Sequence, residues 1–392
     1  MNTVVIVAAQ RTPLGSFMGA LSPVQVTDLG ATAIQSCLKK VKLNPQQVDE
    51  VFMGHVLQAG TGQAPARQAA LSAGIPDSVP CTTINKVCAS GMKAIQLAAQ
   101  GIALGDIEVA IAGGMESMSQ SPHLLPMRKG HKFGSVAALD SLQNDGLTDA
   151  FEQVPMGVFA DRCAHTYEIS REAQDAYTME SYQRSAQAYD QNRFASEICP
   201  VEIPQRKGAA VVVDRDEEFE RVRLDKIPAL RPAFGPQGTV TAANASTIND
   251  GAAAVLMMSA QKAKSLGIKP LAVLRSYADT ALAPESFTIA PAKALPKALE
   301  KTQVDIKDID LFEINEAFSV VALANIQLLN LDPGKVNVHG GAVSLGHPIG
   351  CSGARIVVTL IHALHTHQKR LGAAAVCNGG GGASALVIDT EI

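Results

Sequence analysis

Cys88-Ala-Ser-Gly-Met-Lys-Ala-Ile-Gln-Leu-Ala-Ala-Gln-Gly-Ile-Ala-Leu-Gly-Asp-Ile-Glu-Val-Ala-Ile-Ala-Gly-Gly114 is the stretch whose reading decides the fold. Met92, Ile95, Ala99 and Ile102 recur at steps of three and four, one face of a helix opening at Cys88. Gly105-Asp106 ends that helix, and Glu108–Ala112 reads as a strand leading into Gly113-Gly114. The plan recurs near the C-terminus. Cys351-Ser-Gly-Ala-Arg opens a helix through Ile356, Leu360 and Leu364, followed by a strand at Ala373–Cys377 and the glycine run Gly379–Gly382. Strands alternating with helices point to an α/β layered fold, and the repeated plan points to a duplicated unit.

Outward from these units, Val4–Ala8 reads as a buried strand, Thr27–Lys39 as a helix and Val48–Val56 as a further strand. Residues 120–245 break the rhythm with turns, a polar helical run from about Arg171 to Asn192, and a charged stretch at 206–231. That stretch holds seven Lys/Arg against six Asp/Glu and reads as mixed surface. The expected organisation is a first half of residues 1–119 plus 246–270, an inserted loop domain of residues 120–245, and a second half of residues 271–392. Long insertions usually carry function, here binding of the larger part of a substrate.

Composition narrows the class. The 392 residues are 47% hydrophobic, 18% charged and 4% aromatic with no Trp, which suits closely packed layers in a globular enzyme. A net charge of −4 argues against nucleic acid as a partner. The start runs straight into a strand without a basic or Arg/Ser-rich leader, and no uninterrupted apolar run reaches the roughly 20 residues needed to span a bilayer. Cytoplasm is the expected location, with no membrane partner. Seven Cys without a CxxC pair are expected as reduced thiols rather than a disulfide framework or zinc ribbon.

Four positions carry the chemistry. Cys88 stands between a turn and a helix start, where the positive end of the helix dipole favours a thiolate. His347 lies in Gly340-Gly-Ala-Val-Ser-Leu-Gly-His-Pro-Ile-Gly, a loop that can hold an imidazole rigidly. Cys377 precedes Asn-Gly-Gly-Gly-Gly, whose N–H groups can approach an oxyanion closely. Asn315 lies in Glu313-Ile-Asn-Glu-Ala-Phe, a polar island between apolar runs. Taken singly, each has a plain alternative: a lone Cys is more often a small core residue, and a His among glycines can be a turn residue. Neither glycine segment has the spacing of a nucleotide-binding loop.

In combination the segments resemble the thiolase family from end to end. The matching stretches are Val7-Ala-Ala-Gln-Arg-Thr-Pro, Asn85-Lys-Val-Cys-Ala-Ser-Gly-Met-Lys-Ala, Ala112-Gly-Gly-Met-Glu-Ser-Met-Ser, Asn315-Glu-Ala-Phe, the His347 loop and Cys377-Asn-Gly-Gly-Gly-Gly. Gly238-Thr-Val-Thr-Ala-Ala-Asn-Ala-Ser and Pro284-Glu-Ser-Phe-Thr-Ile-Ala-Pro look most like the family's acetoacetyl-CoA thiolases, the mitochondrial short-chain enzyme being nearest. The resemblance implies a duplicated five-layered α-β-α-β-α core with an inserted loop domain. It implies reversible Claisen condensation of two acetyl-CoA to acetoacetyl-CoA and CoA. Cys88 would be the acyl-carrying nucleophile, His347 its base and Cys377 the group exchanging the α-carbon proton. Asn315 with the His347 ring would serve one oxyanion, and the N–H groups of Cys88 and Gly379 the other.

For coenzyme A it implies Ser246 at the pantetheine, with Leu147, Met156, Ala242, Phe287 and Phe318 as pocket residues and Arg221, Arg223 and Lys226 toward the phosphates. A monovalent cation is expected by the same likeness at Tyr182, Ala242, Ala243, Ala245 and Val343. No other cofactor is expected, since coenzyme A thioesters are substrates, and the partner expected is the chain itself, in a homotetramer. Two departures bear on specificity. Pro155 stands where many biosynthetic relatives carry His, and Phe287 where others carry Met, which opens the way to α-methyl-branched substrates. The competing readings are a degradative 3-ketoacyl-CoA thiolase with longer or 2-methyl-branched substrates, a ketoacyl-synthase-like condensing enzyme, and a non-catalytic acyl-CoA-binding relative.

Overall fold

All eight residues of the first strand, Val4–Arg11 (β1), are buried, so this strand is covered on both faces. Val4, Ile6 and Ala9 join one hydrophobic cluster and Val5, Val7 and Ala8 another, with a bulge between Ile6 and Ala8 changing the phase. A computed structural model describes residues 1–391. The first half continues with α1 (Val26–Val41), β2 (Glu50–Gly54), α2 (Pro65–Ser72), β3 (Cys81–Ile84), α3 (Ser90–Leu104) and β4 (Val109–Ser117). Helices α4 (Met156–Thr166) and α5 (Arg171–Asp190) precede β5 (Asn249–Ser259). The second half contains β6 (Ala272–Ala281), α6 (Pro291–Glu300), β7 (Leu311–Ile314), α7 (Ser319–Leu329), α8 (Ile349–Thr366), β8 (Leu371–Asn378) and β9 (Gly382–Asp389).

The duplication expected from the sequence is visible in the strand order. One half runs β1-β5-β4-β2-β3 and the other β6-β9-β8-β7, with a parallel bridge from Phe312 to Val336 where a fifth strand would pair. In both, the first two pairings are antiparallel and the inner βαβ pairing is parallel. The halves meet through the pairs Val5–Val273 and Ile6–Ala272. Burial sorts into layers. α1 and α2 cover one face of the first half-sheet, α3 and α8 lie between the half-sheets, and α6 and α7 cover the far face of the second. This is the five-layered α-β-α-β-α arrangement.

The glycines of the two Ser-Gly openings explain why α3 and α8 can share the middle layer. A Cβ on Gly91 would come 2.8 Å from the backbone N of Ala354, and one on Gly353 would come 2.6 Å from that of Met92. The segments Val87–Leu104 and Ile349–Thr366 are long and apolar enough to cross a bilayer. Here that apolarity is what a helix sandwiched between two sheets requires.

Two local expectations are corrected. The strand read at Glu108–Ala112 does not stop at Gly113-Gly114 but runs to Ser117. These glycines are interior positions of close approach: a Cβ would overlap Ala253 O at Gly113 and Gly350 O at Gly114. Residues 206–231 are not all surface either. Asp216 is 1% exposed and its two oxygens accept from the Arg11 guanidinium at 2.7 and 2.9 Å, while Arg11 Nε donates to Glu197 at 2.5 Å. This buried triad ties β1 to the segment between α5 and β5. That segment and the one before α4 contribute two small two-stranded sheets, Val201–Ile203 with Val211–Val213 and His123–Leu124 with Leu139–Asp140, neither of them part of the central sheet.

Candidate active site

The link from β3 to α3 holds Cys88 in a tight turn. Asn85 Oδ1 accepts from Val87 N at 3.0 Å, and Ser90 Oγ accepts from Lys86 N at 2.8 Å while donating to Val87 O at 2.6 Å. Val87 has φ of 47°, the left-handed region, which a β-branched residue rarely occupies. Such strain costs on the order of 1–3 kcal/mol and persists only where surrounding bonds over-determine it. The helix begins at Ser90 rather than at Cys88. Val87, half-buried Cys88 and Gly379 all line one cavity of about 340 Å³.

Burial works against the thiolate that the helix start favours. Burial pushes the Cys88 thiol up to about 12, and the backbone N–H groups of Gly379 and of Cys88 itself only partly offset that. The sulfur therefore requires a base. His347 lines the same cavity, following Gly346 with φ of 119°. Its N–H donates to Asn249 Oδ1 at 2.9 Å, its Nδ1 lies 2.6 Å from Ser352 Oγ, and the Asn315 amide nitrogen lies 3.5 Å from Nδ1. Nε2 is buried without a hydrogen-bond partner. Burial, and then the charge of Arg355, lower the imidazole to about 3, so a neutral ring stands over the cavity with one nitrogen free.

Cys377, at the end of β8, is fully buried against Phe159, Phe287 and Phe318. Its thiol is raised well above the ordinary value, first by burial and then by the proximity of Cys88. Asn315 follows β7, is 1% exposed, and its N–H donates to Ala375 O at 3.0 Å, which sets it beside β8. One cavity edge thus gathers a thiol, an imidazole nitrogen without a hydrogen-bond partner, a second thiol behind it and backbone donors, the groups that acyl transfer and α-carbon deprotonation both require.

Of the residues expected to meet substrate, Leu147, Met156, Ser246, Phe287 and Phe318 line this cavity, as does Pro155 at the N-cap of α4. Ser246 Oγ donates to Ala317 O at 2.8 Å and keeps its lone pairs free. Of the other expected contacts, Ala245 is in the cavity wall and the rest are not. Arg221, Arg223 and Lys226 are exposed, the latter two within 3.9 and 3.5 Å of Asp225. Ala242 is exposed as well. Tyr182 is buried in a small cluster with Phe219 and Val343, while Ala243 and Ala245 are half-buried on either side of Asn244. A phenol and backbone carbonyls are neutral hard oxygens, a donor set compatible with a monovalent cation. Among the described residues no group of three or more His, Cys, Asp or Glu could hold a metal ion.

Several positioning residues escaped the sequence reading. Glu116 is completely buried and accepts from the N–H groups of Val56, Leu57 and Gly350 at 3.1, 3.1 and 2.9 Å, with His55 Nε2 at 3.2 Å. It pins the start of α8, and with it the His347 loop, to β4. Asn249 holds His347 from below, and its Nδ2 donates to Gly15 O at 3.0 Å. Along α8, Ser352, Arg355, Thr359 and His362 form one buried polar edge, with Arg355 3.5 Å from Glu313 and Thr359 donating to Glu197 at 3.1 Å. Their spacing of three, four and three was present in the sequence as a polar stripe on an apolar helix.

A family model described as the thiolase N-terminal domain matches residues 4–261, and one described as the thiolase C-terminal domain matches residues 268–390. The cytosolic acetyl-CoA acetyltransferase of Gibberella zeae is 50% identical over 388 residues, covering 98% of each chain. The mitochondrial acetyl-CoA acetyltransferase of Rattus norvegicus is 53% identical over 390 residues, covering 99% of this chain and 91% of that one. Among solved structures, the acetyl-CoA acetyltransferase of Bacillus anthracis superposes with a TM-score of 0.97 at 42% identity, covering 99% of each chain. An Ascaris suum thiolase in complex with coenzyme A gives a TM-score of 0.95 at 46% identity, covering 99% of this chain and 100% of that chain.

Proposed function

The chain belongs to the thiolase family, and from that premise we propose that it is an acetyl-CoA acetyltransferase, condensing two acetyl-CoA to acetoacetyl-CoA and CoA, and reversing that reaction, through an acetyl group carried on Cys88. The observation that carries this reading is that Cys88 and His347, whose Nε2 has no partner, line one cavity, with buried Cys377 close to Cys88.

Proton accounting assigns the steps. Nε2 of His347 takes the Cys88 proton as the sulfur attacks the thioester carbonyl, and the N–H groups of Cys88 and Gly379 hold the resulting oxyanion. The C–S bond to coenzyme A breaks, and the leaving thiolate takes its proton from Cys377. The Cys377 thiolate then removes a proton from the methyl carbon of a second acetyl-CoA. The enolate oxygen is met by Asn315 and by the proton now on Nε2. The carbanion attacks the acetyl carbonyl, a C–C bond forms, the bond to Cys88 breaks, and His347 returns the proton to Cys88. Every group ends as it began.

The apolar wall of Leu147, Met156, Phe287 and Phe318 suits a pantetheine arm and a short acyl group, and Pro155 offers no N–H to a substrate carbonyl. The exposed Arg221, Arg223 and Lys226, outside the wall, would meet the phosphates. A monovalent cation would be held by Tyr182 and the carbonyls of Ala242, Ala243, Ala245 and Val343, and no step runs through it. A homotetramer and a cytoplasmic location belong to the same proposal; the relatives named above include cytosolic and mitochondrial proteins. Brief exposure to acetyl-CoA followed by mass spectrometry tests the reading: an acetyl group on the Cys88 peptide is expected, and binding without acetylation would overturn it. Relative rates on acetoacetyl-CoA, its 2-methyl form and a long-chain 3-ketoacyl-CoA test the acyl preference, with a strong preference for the long chain counting against it.

A further inference from the structure

The steps above require His347 to present an unprotonated Nε2 at rest and a protonated one after acylation. In both states the ring's other nitrogen, Nδ1, must carry a proton. A neutral imidazole has two tautomers, and which one exists is set by what Nδ1 meets. In this structure it meets Ser352 Oγ at 2.6 Å. The same hydroxyl lies 2.9 Å from Pro348 O, to which it can give its single proton. With that proton committed to the carbonyl, the oxygen turned toward His347 offers lone pairs alone, and the bond is Nδ1–H to Oγ.

We propose that Ser352 is a positioning residue that fixes the Nδ1–H tautomer of His347 and so keeps Nε2 open to Cys88. The hydroxyl sits one turn into α8, whose first residues are held by the Glu116 carboxylate through Gly350 N at 2.9 Å. The main chain of His347 is held separately, its backbone N–H donating to Asn249 Oδ1 at 2.9 Å. The start of α8 and the His347 main chain are therefore each fixed by protein groups, and the 2.6 Å contact is made without substrate. The Asn315 amide nitrogen, 3.5 Å from Nδ1, is a donor alone and cannot accept the Nδ1 proton in place of Ser352. When Nε2 gains the Cys88 proton, the bond from Nδ1 becomes charge-assisted, so Ser352 also favours the imidazolium that the acyl-enzyme step creates.

This inference rests on the proposed acyl transfer, but its test is separable from it. Removing one hydrogen bond to a charged group is worth roughly a 10- to 100-fold change in rate. Ser352→Ala should lower kcat for acetoacetyl-CoA thiolysis by about that factor with KM changed less than about threefold, and Ser352→Thr should recover most of it. In parallel, alkylation of Cys88 by iodoacetamide at neutral pH needs no substrate, and should slow in Ser352→Ala and recover in Ser352→Thr. An alkylation rate and kcat within about twofold of the unaltered chain would overturn the proposal, as would a loss confined to KM. If Ser352→Ala does not fold, Ser352→Cys keeps the volume with a poor acceptor and must show the same slowing. A chain that never turns over acetoacetyl-CoA would sink the acetyltransferase reading, while the alkylation ratio would still decide the role of Ser352.

Discussion

Replacing His347 by Gln should reveal how far the Cys88–His347 pair is from an ion pair at rest. Burial places the Cys88 thiol at about 12 and the His347 imidazole at about 3, a gap of about nine pH units. At ~1.4 kcal/mol per unit, moving the proton from sulfur to Nε2 costs roughly 12 kcal/mol before the new charges attract each other. Attraction at about 4 Å and an effective dielectric near 20 returns about 4 kcal/mol, leaving ~8. Ordinary turnover of 1 to 10³ per second corresponds to barriers of about 13–17 kcal/mol, so this charge separation fits under the barrier but not in the resting enzyme.

His347→Gln removes the acceptor, and acetylation of Cys88 should fall about 10²- to 10⁴-fold, the usual worth of a positioned base. The residual rate should then climb roughly tenfold per pH unit between pH 7 and 9, because only spontaneously formed thiolate can react. Quenched-flow mass spectrometry of the Cys88 peptide reads both. Thiolate absorbance at 240 nm, compared between the unaltered chain and Cys88→Ser, supplies the check. A Cys88-dependent inflection below about pH 7.5, or a pH-independent residual rate in His347→Gln, would refute the neutral-pair reasoning.

The remaining predictions are shorter. Cys377→Ala should still acquire an acetyl group on Cys88, but neither condense nor cleave at a measurable rate; equal loss of both steps would contradict the division of labour. Arg11→Met leaves Glu197 and Asp216 buried without a counter-charge, and should cost about 3–5 kcal/mol in urea denaturation; a loss under about 1 kcal/mol would show the triad to be dispensable. His339 is lowered to about 3, first by burial and then by His367 and Arg193. A depressed folded value means that its contribution is intact above about 6.5 and lost as pH falls toward 3, roughly 2 kcal/mol by pH 5. His339→Gln should therefore narrow the stability difference between pH 7.5 and pH 5.0, and parallel curves for the two chains would speak against it.

How much of this could be read beforehand depended on whether a feature is local. The faces of α3 and α8 and the strand at Val4 carry their own periodicity, and both were legible. The glycine pair at 113–114 was misread as a strand end because its cause lies 236 residues away, in the Gly350 carbonyl that presses on Gly114. The height of the Cys88 thiol was not legible for a similar reason. Proximity to a helix start is a local signal, whereas burial under the His347 loop and the Gly379 turn is not. Glu116 stood in a quoted motif without being singled out, since a carboxylate serving three backbone N–H groups has no sequence signature of its own. Ser352, Arg355, Thr359 and His362 did have one, at spacings of three, four and three.

The duplication turns the doubt about a lone cysteine into a comparison within one molecule. Cys88 and Cys351 each stand near the start of a central helix beside a Ser-Gly pair and touch the same hydrophobic cluster, yet they differ in exposure. Cys351 is fully buried and packs into the cluster between the half-sheets, and burial pushes its thiol to about 12. Cys88 has an equally raised thiol, so neither sequence context nor acidity separates them. What separates them is access. Gly350, in the first turn of α8, lies against Gly114 and His55 next to fully buried Cys351, and the loop before that helix carries His347 to the cavity where Cys88 stands. The loop that precedes one copy of the motif thus equips the cavity of the other. On this reading, the bland fate of a cysteine and its catalytic fate are two outcomes of one fold. The discriminating feature is whether an unprotonated Nε2 shares a cavity with the sulfur.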